Sequence, residues 1–255
     1  RLRSQDPVFW NDHIHAWIVT EYDLVKQVLA DPETYSSRIS IYGQDVAAHL
    51  AKIPQDTIEL IMTMDGEQHT KRRRLVVDAF RMREVEETWE PVAREIVQTQ
   101  LERIVTQNQF SVLRDLAVPV PVKVISRILG ITSTDETVQR IRDLTFSAIE
   151  FLGHVECDRF TENEHQFMAK HQYALFQIVY GAMAEKKARP GDDLLTKLMT
   201  TRYEIDGKLQ ELGDPRVFTY VSLLLFAGNL TTTNLIAQSL LYLAQHPQIQ
   251  ERVRT

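Results

Sequence analysis

Two residues in the run HTKRRRLV, His69 and Arg73, could act together on one ligand. They stand four residues apart, so on a helix both side chains project from the same face. Two donors at that spacing could hold a pair of carboxylates through hydrogen bonds, charge-assisted at both donors if His69 is protonated. The neighbouring cations Lys71, Arg72 and Arg74 project elsewhere and predict a positive surface patch, or alternatively a solvated basic face.

A second candidate lies in the apolar stretch near the end of the chain, in the run LLFAGNLTTTN from Leu224 to Asn234. Ala227 and Gly228 leave room for a ligand to lie against the backbone. The Thr231 hydroxyl can bond a carbonyl one turn back, which predicts a local bulge or bend. This combination suits a flat cofactor with a small ligand beside it. The alternative is a helix–helix crossing that needs small residues, and the run alone does not decide between the two.

Other groups of chemically capable residues carry less information. Four residues between positions 154 and 171 could suggest a metal site, but their spacing matches no common zinc pattern. They are His154, Cys157, His165 and His171. The acids Asp192 and Asp193 stand at a predicted helix start, where capping accounts for them. The sequence contains neither a glycine-rich phosphate loop nor a serine nucleophile elbow.

The elements that would position these residues are mostly helices. Only 9 Gly and 9 Pro occur in 255 residues, and good helix formers are abundant. The run HAWIVT predicts a strand, followed by a helix that ends before Pro32, and Gly130 ends a later helix. The other predicted elements are a helical piece at 46–51, a strand in FSVLRDLA, a capping box at Ser133–Glu136, a helix over 162–187, a hairpin at EIDGK, and a helix beginning at Asp214 and Pro215 and running to about Gln245.

Charge and cysteine content restrict the class of protein. A net charge of −6 argues against a general nucleic-acid binder. The single cysteine cannot form an internal disulfide, which favours the cytoplasm. The N-terminal segment has no signal-peptide pattern, and the run VFTYVSLLLFAG is too short to cross a bilayer, so we expect no membrane association. The chain begins without Met and stops inside a helical pattern, so we expect a portion of a longer protein.

Two runs resemble the signatures of one family, the bacterial cytochrome P-450 enzymes. MDGEQHTKRRRLVVDAF resembles their helix-C signature, a DPPEHTRLRRLV-type run followed by Ala-Phe, and LLLFAGNLTTTNLIA resembles their helix-I signature, Ala-Gly-x-acid-Thr-Thr. Four more segments follow the family's order: AWIVTEYDLVKQVLADPETYSS, RILGITSTDE, EKKARPGDDLLTKLM and LAQHPQIQERV. The resemblance implies the mainly α cytochrome P-450 fold, with a minor β element near the N-terminus. It also implies that residues 1–255 form a single incomplete domain.

The resemblance implies a haem-dependent monooxygenase that inserts one oxygen atom of O₂ into a small organic substrate. By position, His69 and Arg73 would hold the haem propionates. Ala227 and Gly228 would lie over the haem face where oxygen binds, and Thr231 would organise proton delivery to it.

The resemblance also implies a substrate pocket and a partner surface. Leu223 and Phe226 would face the substrate. Lys71, Arg72 and Arg74 would lie where an acidic ferredoxin-type electron donor docks. We further expect a cytoplasmic monomer.

Two departures from the family pattern bear on this expectation. Leu230 stands where the family has an acid, and leucine cannot relay a proton, so poor coupling, peroxide use or a relay through Asn229 and water are the alternatives. The axial thiolate loop does not occur in this sequence, and Cys157 lacks its surroundings, so we expect the iron ligand beyond Thr255. A haem-free helper protein of the same fold, for example of a glycosyltransferase, is the alternative function.

Overall fold

The computed structural model describes residues 5–13, 16–37, 61–156, 162–205 and 207–254, with side chains except those of residues 63, 148–172 and 205. Helices dominate this part, and its strands form two antiparallel hairpins. The helices are α1 (Tyr22–Ala30), α2 (Gly66–Val77), α3 (Glu90–Val105), α4 (Pro119–Leu129), α5 (Asp135–Glu156), α6 (Glu162–Ala188), α7 (Leu194–Thr200), α8 (Asp214–Gln245) and α9 (Pro247–Arg254). The strands are β1 (Val8–Asn11), β2 (Ala16–Val19), β3 (Arg202–Ile205) and β4 (Lys208–Glu211). The predicted mainly helical architecture with a β element near the front is confirmed.

Short helical turns connect the main elements. They lie at Ile61–Thr63, Asp78–Phe80, Met82–Glu84, Val85–Trp89 and Val112–Ala117. The helical piece predicted at 46–51 lies outside the described residues.

The front of the described chain follows its local signals. β1 pairs with β2 so that Val8 stands opposite Val19. The Glu21 carboxylate accepts hydrogen bonds from the first turn of α1, which satisfies backbone donors that a helix start leaves free. α1 ends at Ala30, before Pro32, as predicted.

The strand predicted in FSVLRDLA is wrong, because Val112–Ala117 forms a π-helical turn. The Ser111 hydroxyl accepts from the backbone N–H of Arg114, and the Asp115 carboxylate accepts from the backbone N–H of Ser111 at 2.7 Å. Pro119 then begins α4. These capping contacts favour a helical start over the strand propensity of the valine and leucines.

Several helix ends lie close to the predicted positions. Gly130 ends α4 with φ +73°, the left-handed conformation that glycine adopts without steric cost. The cap of α5 is Thr134 rather than Ser133, since the Thr134 hydroxyl accepts from the backbone N–H of Thr137 at 3.1 Å. α8 is preceded by Gly213 as its cap, one residue before the predicted Asp214.

Helix α8 is the central element of the described fold. It packs against α4, α5, α6 and α7. Its first half buries apolar side chains between these helices: Val217, Tyr220, Val221 and Leu225. By length and composition α8 could also cross a membrane, because the helix continues well beyond the apolar run seen in the sequence. The core helix of a soluble protein meets the same criterion, so this is weak evidence for a membrane span.

Asp193 joins three helices beside α8. Its Oδ1 atom accepts from the backbone N–H of Thr196 at 2.8 Å and caps α7, as predicted. Its Oδ2 atom lies 2.8 Å from Nζ of Lys186 on α6. A Cβ at Gly130, at the end of α4, would come within 2.4 Å of the Asp193 Cγ atom. The carboxylate therefore links α6 to α7, and the absence of a side chain at Gly130 leaves room for it at the end of α4.

We expect Asp193→Asn to lower the free energy of unfolding by about 2 to 3 kcal/mol at neutral pH, because Lys186 loses its charged partner in a largely buried site. Burial raises the pKa of the Asp193 carboxyl, but hydrogen bonds from Lys186 and Thr196 outweigh it and hold the pKa below its ordinary value. Its stabilisation is therefore complete above the unfolded pKa of about 3.9 and is lost as pH falls through the folded pKa. Urea unfolding of wild type and Asp193→Asn at several pH values measures the difference in their free energies of unfolding.

The neighbouring Asp192→Asn is the matched control. The Asp192 side chain is 92% exposed and pairs with Lys197, so its loss should change stability little. Equal effects of the two substitutions, or a wild-type advantage at Asp193 that persists below the folded pKa, would contradict this interpretation.

Candidate functional site

The middle of α8 has one face that the described helices leave open. Ala227 and Thr231 are both exposed on it, one turn apart. The Thr231 hydroxyl donates to the carbonyl oxygen of Ala227 at 2.8 Å, the bond predicted from the sequence. The predicted bulge is wrong, because α8 is α-helical without interruption from Asp214 to Gln245. A carbonyl oxygen has two lone pairs, so the hydroxyl can bond it without displacing the backbone donor.

Gly228 lies on a different face from Ala227. A Cβ at Gly228 would lie 3.1 Å from Cγ1 of Ile125 on α4, closer than the optimal contact of about 3.5 to 4 Å between carbon atoms. The missing side chain therefore lets α4 approach α8. This contact favours the helix-crossing alternative as the reason for a glycine at position 228, while its place over the haem stays a prediction.

Asn229 belongs to a buried polar network between α8 and α5. Its Nδ2 atom donates to the Thr145 hydroxyl at 3.2 Å, and its Oδ1 atom accepts from the Thr233 hydroxyl at 3.0 Å. Asn229 is only 2% exposed. Its amide is thus engaged on the packed side of α8, away from the open face that carries Thr231. This arrangement argues against the proton relay through Asn229 that the sequence left open.

The two residues predicted to face a substrate are half-buried. Leu223 lies one turn before Ala227 and so shares its side of α8. Phe226 packs against the buried core. Leu230, which stands at the family's acid position, is also half-buried. The open face of α8 is therefore bordered by apolar side chains.

Helix α2 carries the predicted carboxylate-binding pair. His69 is half-buried and Arg73 is exposed. Within the part of the chain that the structure describes, neither side chain forms an ion pair with an acidic residue. Among the described residues, no acidic side chain therefore occupies the N–H donors of His69 or Arg73.

The predicted cationic patch on α2 is only partly correct. Arg74 is exposed, and Lys71 is exposed but lies 2.9 Å from the Glu67 carboxylate. Arg72 does not share this surface. Its Nη1 atom donates to the Tyr203 hydroxyl of β3 at 2.9 Å, and the residue is half-buried. Arg72 therefore does not belong to the exposed cationic patch, which contains only Lys71 and Arg74.

Helices α2 and α8 meet directly. The Tyr220 hydroxyl on α8 donates to the carbonyl oxygen of Arg72 at 3.3 Å. Tyr220 precedes Ala227 by seven residues, which corresponds to about 10.5 Å along a helix. The structure thus places the helix with His69 and Arg73 against α8, two turns from the open face at Ala227.

Sequence reasoning missed the roles of Thr145, Thr233 and Tyr203. Thr145 and Thr233 complete the network around Asn229, and Tyr203 binds Arg72. An asparagine in an apolar helix signals a buried hydrogen-bond partner, although it does not identify that partner. Tyr203 gave no signal of its role in the sequence.

Comparison with known proteins decides the family. The sequence profile described as Cytochrome P-450 matches residues 7–255. The chain belongs to the cytochrome P-450 family. It is 30% identical to cytochrome P-450 109 of Bacillus spizizenii over 263 residues, which cover 100% of this chain and 57% of that protein. It is 29% identical over 245 residues to cytochrome P-450(MEG) of Priestia megaterium, covering 94% and 56% respectively.

Solved cytochrome P-450 structures have the same fold. Substrate-free CYP109E1 from Bacillus megaterium superposes with a TM-score of 0.73 at 26% identity, covering 99% of this chain and 60% of that one. Epothilone B-bound cytochrome P-450epoK gives a TM-score of 0.80 at 25% identity, covering 100% and 62%. The chain therefore spans less than two thirds of the length of these relatives.

The residues present fit haem, the cofactor of the cytochrome P-450 family. Haem carries two carboxylates, and His69 and Arg73 offer donors at a spacing suited to such a pair, without acidic partners among the described residues. Ala227 presents only a methyl group on the open face of α8, so a flat ring can lie against the helix. The single cysteine, Cys157, lies outside the described residues. The side chains of His154, His165 and His171, whose spacing with Cys157 matches no common zinc pattern, also lie outside the described ones.

Proposed function

We propose that the protein is a haem-dependent monooxygenase. One atom of O₂ is inserted into a small organic substrate, and the other leaves as water, with consumption of two electrons and two protons. The observation that carries this proposal is the open face of α8, where the Thr231 hydroxyl and the Ala227 methyl stand together in a chain of the cytochrome P-450 family. Bound haem would supply the activation of oxygen.

The chain's own residues then have separate tasks. His69 and Arg73 bind the propionates and fix the ring against α8. Thr231 holds a proton at its Oγ1 atom, beside the Ala227 carbonyl, where solvent protons can be passed on. Leu223, on the same side of α8, contributes an apolar wall that favours an organic substrate and excludes water. Phe226 is the second wall residue.

The electrons come from an acidic, ferredoxin-type partner in this proposal. Lys71 and Arg74 are the exposed cations of α2 that would attract it. Glu67 offsets part of the Lys71 charge. We propose a cytoplasmic location, in line with the similarity to bacterial cytochromes P-450, and a monomeric state.

A carbon monoxide difference spectrum of the reduced full-length gene product tests the proposal. We expect the red-shifted Soret band of thiolate-ligated haem. A protein that contains no haem absorbance would contradict a monooxygenase, and that result would favour the haem-free helper protein instead.

Leu230→Glu should raise the yield of product per electron, because it restores a carboxyl beside Thr231 that can relay protons. Positioned acids and bases contribute roughly 10²- to 10⁴-fold in rate, so at least a severalfold gain in coupling is expected. Product formed and peroxide released per electron donor consumed measure the coupling. Leu230→Gln is the control, since it has the same shape as glutamate and cannot ionise. Equal coupling in wild type and Leu230→Glu would show that the missing acid is not limiting.

A further inference from the structure

Among the described residues, helix α2 makes little apolar packing contact. Of its twelve residues only Val76 is buried, and Leu75 is partly buried against the core. Most of the helix is polar, including three consecutive arginines from Arg72 to Arg74. Apolar contact at one end does not fix the rotation of such a helix about its axis. Polar contacts must therefore help to fix the orientation of α2 about its axis.

Arg72 supplies a polar contact from its side chain. The family's motif has leucine at this position, whereas this chain has arginine. Its Nη1 atom donates to the Tyr203 hydroxyl at 2.9 Å, and its guanidinium carbon lies 5.3 Å from the centre of the Tyr203 ring. Tyr203 stands in β3, opposite Gln210 of β4. The arginine side chain is thus bound to a hydrogen-bonded hairpin.

The backbone of the same residue is bound from a second element. The Tyr220 hydroxyl donates to the carbonyl oxygen of Arg72, and Tyr220 is only 3% exposed in the packed half of α8. Side chain and main chain of Arg72 are therefore held by two different parts of the fold.

We propose that Arg72, Tyr203 and Tyr220 form a clamp that aims His69 and Arg73 at the haem propionates. Successive helical residues are about 100° apart, so Arg72 lies roughly 60° from His69 and 100° from Arg73 around α2. Fixing Arg72 thereby fixes the direction of both donors. These three are positioning residues, and the haem part of the inference rests on the function proposed above.

Tyr203→Phe and Tyr220→Phe test the clamp in the full-length protein, because each removes a hydroxyl and keeps the ring. We expect faster amide hydrogen exchange in α2, and haem transfer to excess apomyoglobin about tenfold faster, in line with the loss of one hydrogen bond to or beside a charged group. Tyr22→Phe is the matched control, since Tyr22 is 75% exposed on α1. It should change neither measurement.

A second comparison separates aiming from general stabilisation. In a protein that already carries His69→Ala and Arg73→Ala, Tyr203→Phe should still speed exchange in α2 but no longer speed haem loss. If Tyr203→Phe still speeds haem loss from the protein that lacks both donors, Tyr203 does not act by aiming His69 and Arg73. Unchanged exchange in α2 of Tyr203→Phe would overturn the clamp itself. If the wild-type protein takes up no haem, the proposed function and the aiming role fail together, whereas hydrogen exchange still decides whether the clamp exists.

Discussion

Replacing His69 and Arg73 together by alanine should weaken haem binding by about 100-fold or more. Each side chain is expected to donate to a propionate, and hydrogen bonds to charged groups contribute about 1.5 to 3 kcal/mol each. Neither side chain has an acidic partner among the described residues, so within that part of the chain their removal leaves no carboxylate without its ion-pair partner. Haem affinity, measured by competition with apomyoglobin, gives the loss directly.

Arg74→Ala is the control for this double substitution. It removes a neighbouring exposed cation whose side chain projects about 100° away from that of Arg73. Its effect on haem affinity should be small. The haem-free forms of the wild type, the double variant and Arg74→Ala should have similar thermal stability. An Arg74→Ala variant that loses as much haem affinity as the double variant would contradict the assignment of the propionate donors.

Thr231→Val should reduce product formed per electron by at least about tenfold while leaving haem content unchanged. Valine has nearly the same shape as threonine but no hydroxyl, so it cannot hold a proton beside the Ala227 carbonyl. Because Thr231 is exposed on the open face of α8, the folded structure should tolerate the change. Electron consumption would continue, and peroxide would replace product.

Thr232→Val provides the comparison, since it makes the same chemical change at the next exposed position of α8. We expect it to keep the wild-type yield, and Thr231→Ser to recover much of the yield that Thr231→Val loses. Full coupling in Thr231→Val would remove Thr231 from the mechanism.

Elements with strong local signals could be predicted from the sequence. Pro32 and Gly130 mark helix ends through their own backbone properties, and the long pattern leading to Gln245 forms a single helix as predicted. The strand predicted in FSVLRDLA failed because strand propensity depends on a partner strand, whereas Ser111 and Asp115 offered local caps.

The residue types of the candidate site could be predicted from the sequence, but the directions in which their side chains point could not. Ala227 and Gly228 are adjacent and both small, yet Ile125 of α4 occupies the side of α8 on which a Gly228 side chain would lie. Arg72 and Arg74, which flank Arg73, look equivalent in the sequence. Only the fold brings Tyr203, which is 131 positions away, to Arg72 and so separates it from the exposed cations. Which face of a helix is covered depends on its neighbours, and a single sequence does not contain that information.

The central claim is that haem lies against the open face of α8 with its propionates on α2. A crystal structure of the haem-loaded full-length protein tests it through the distances from the side-chain nitrogens of His69 and Arg73 to the propionate oxygens. We predict distances of about 2.7 to 3.2 Å for both residues, with the porphyrin in contact with Ala227. Propionates held by other residues, or a porphyrin that does not touch α8 at Ala227, would contradict the account.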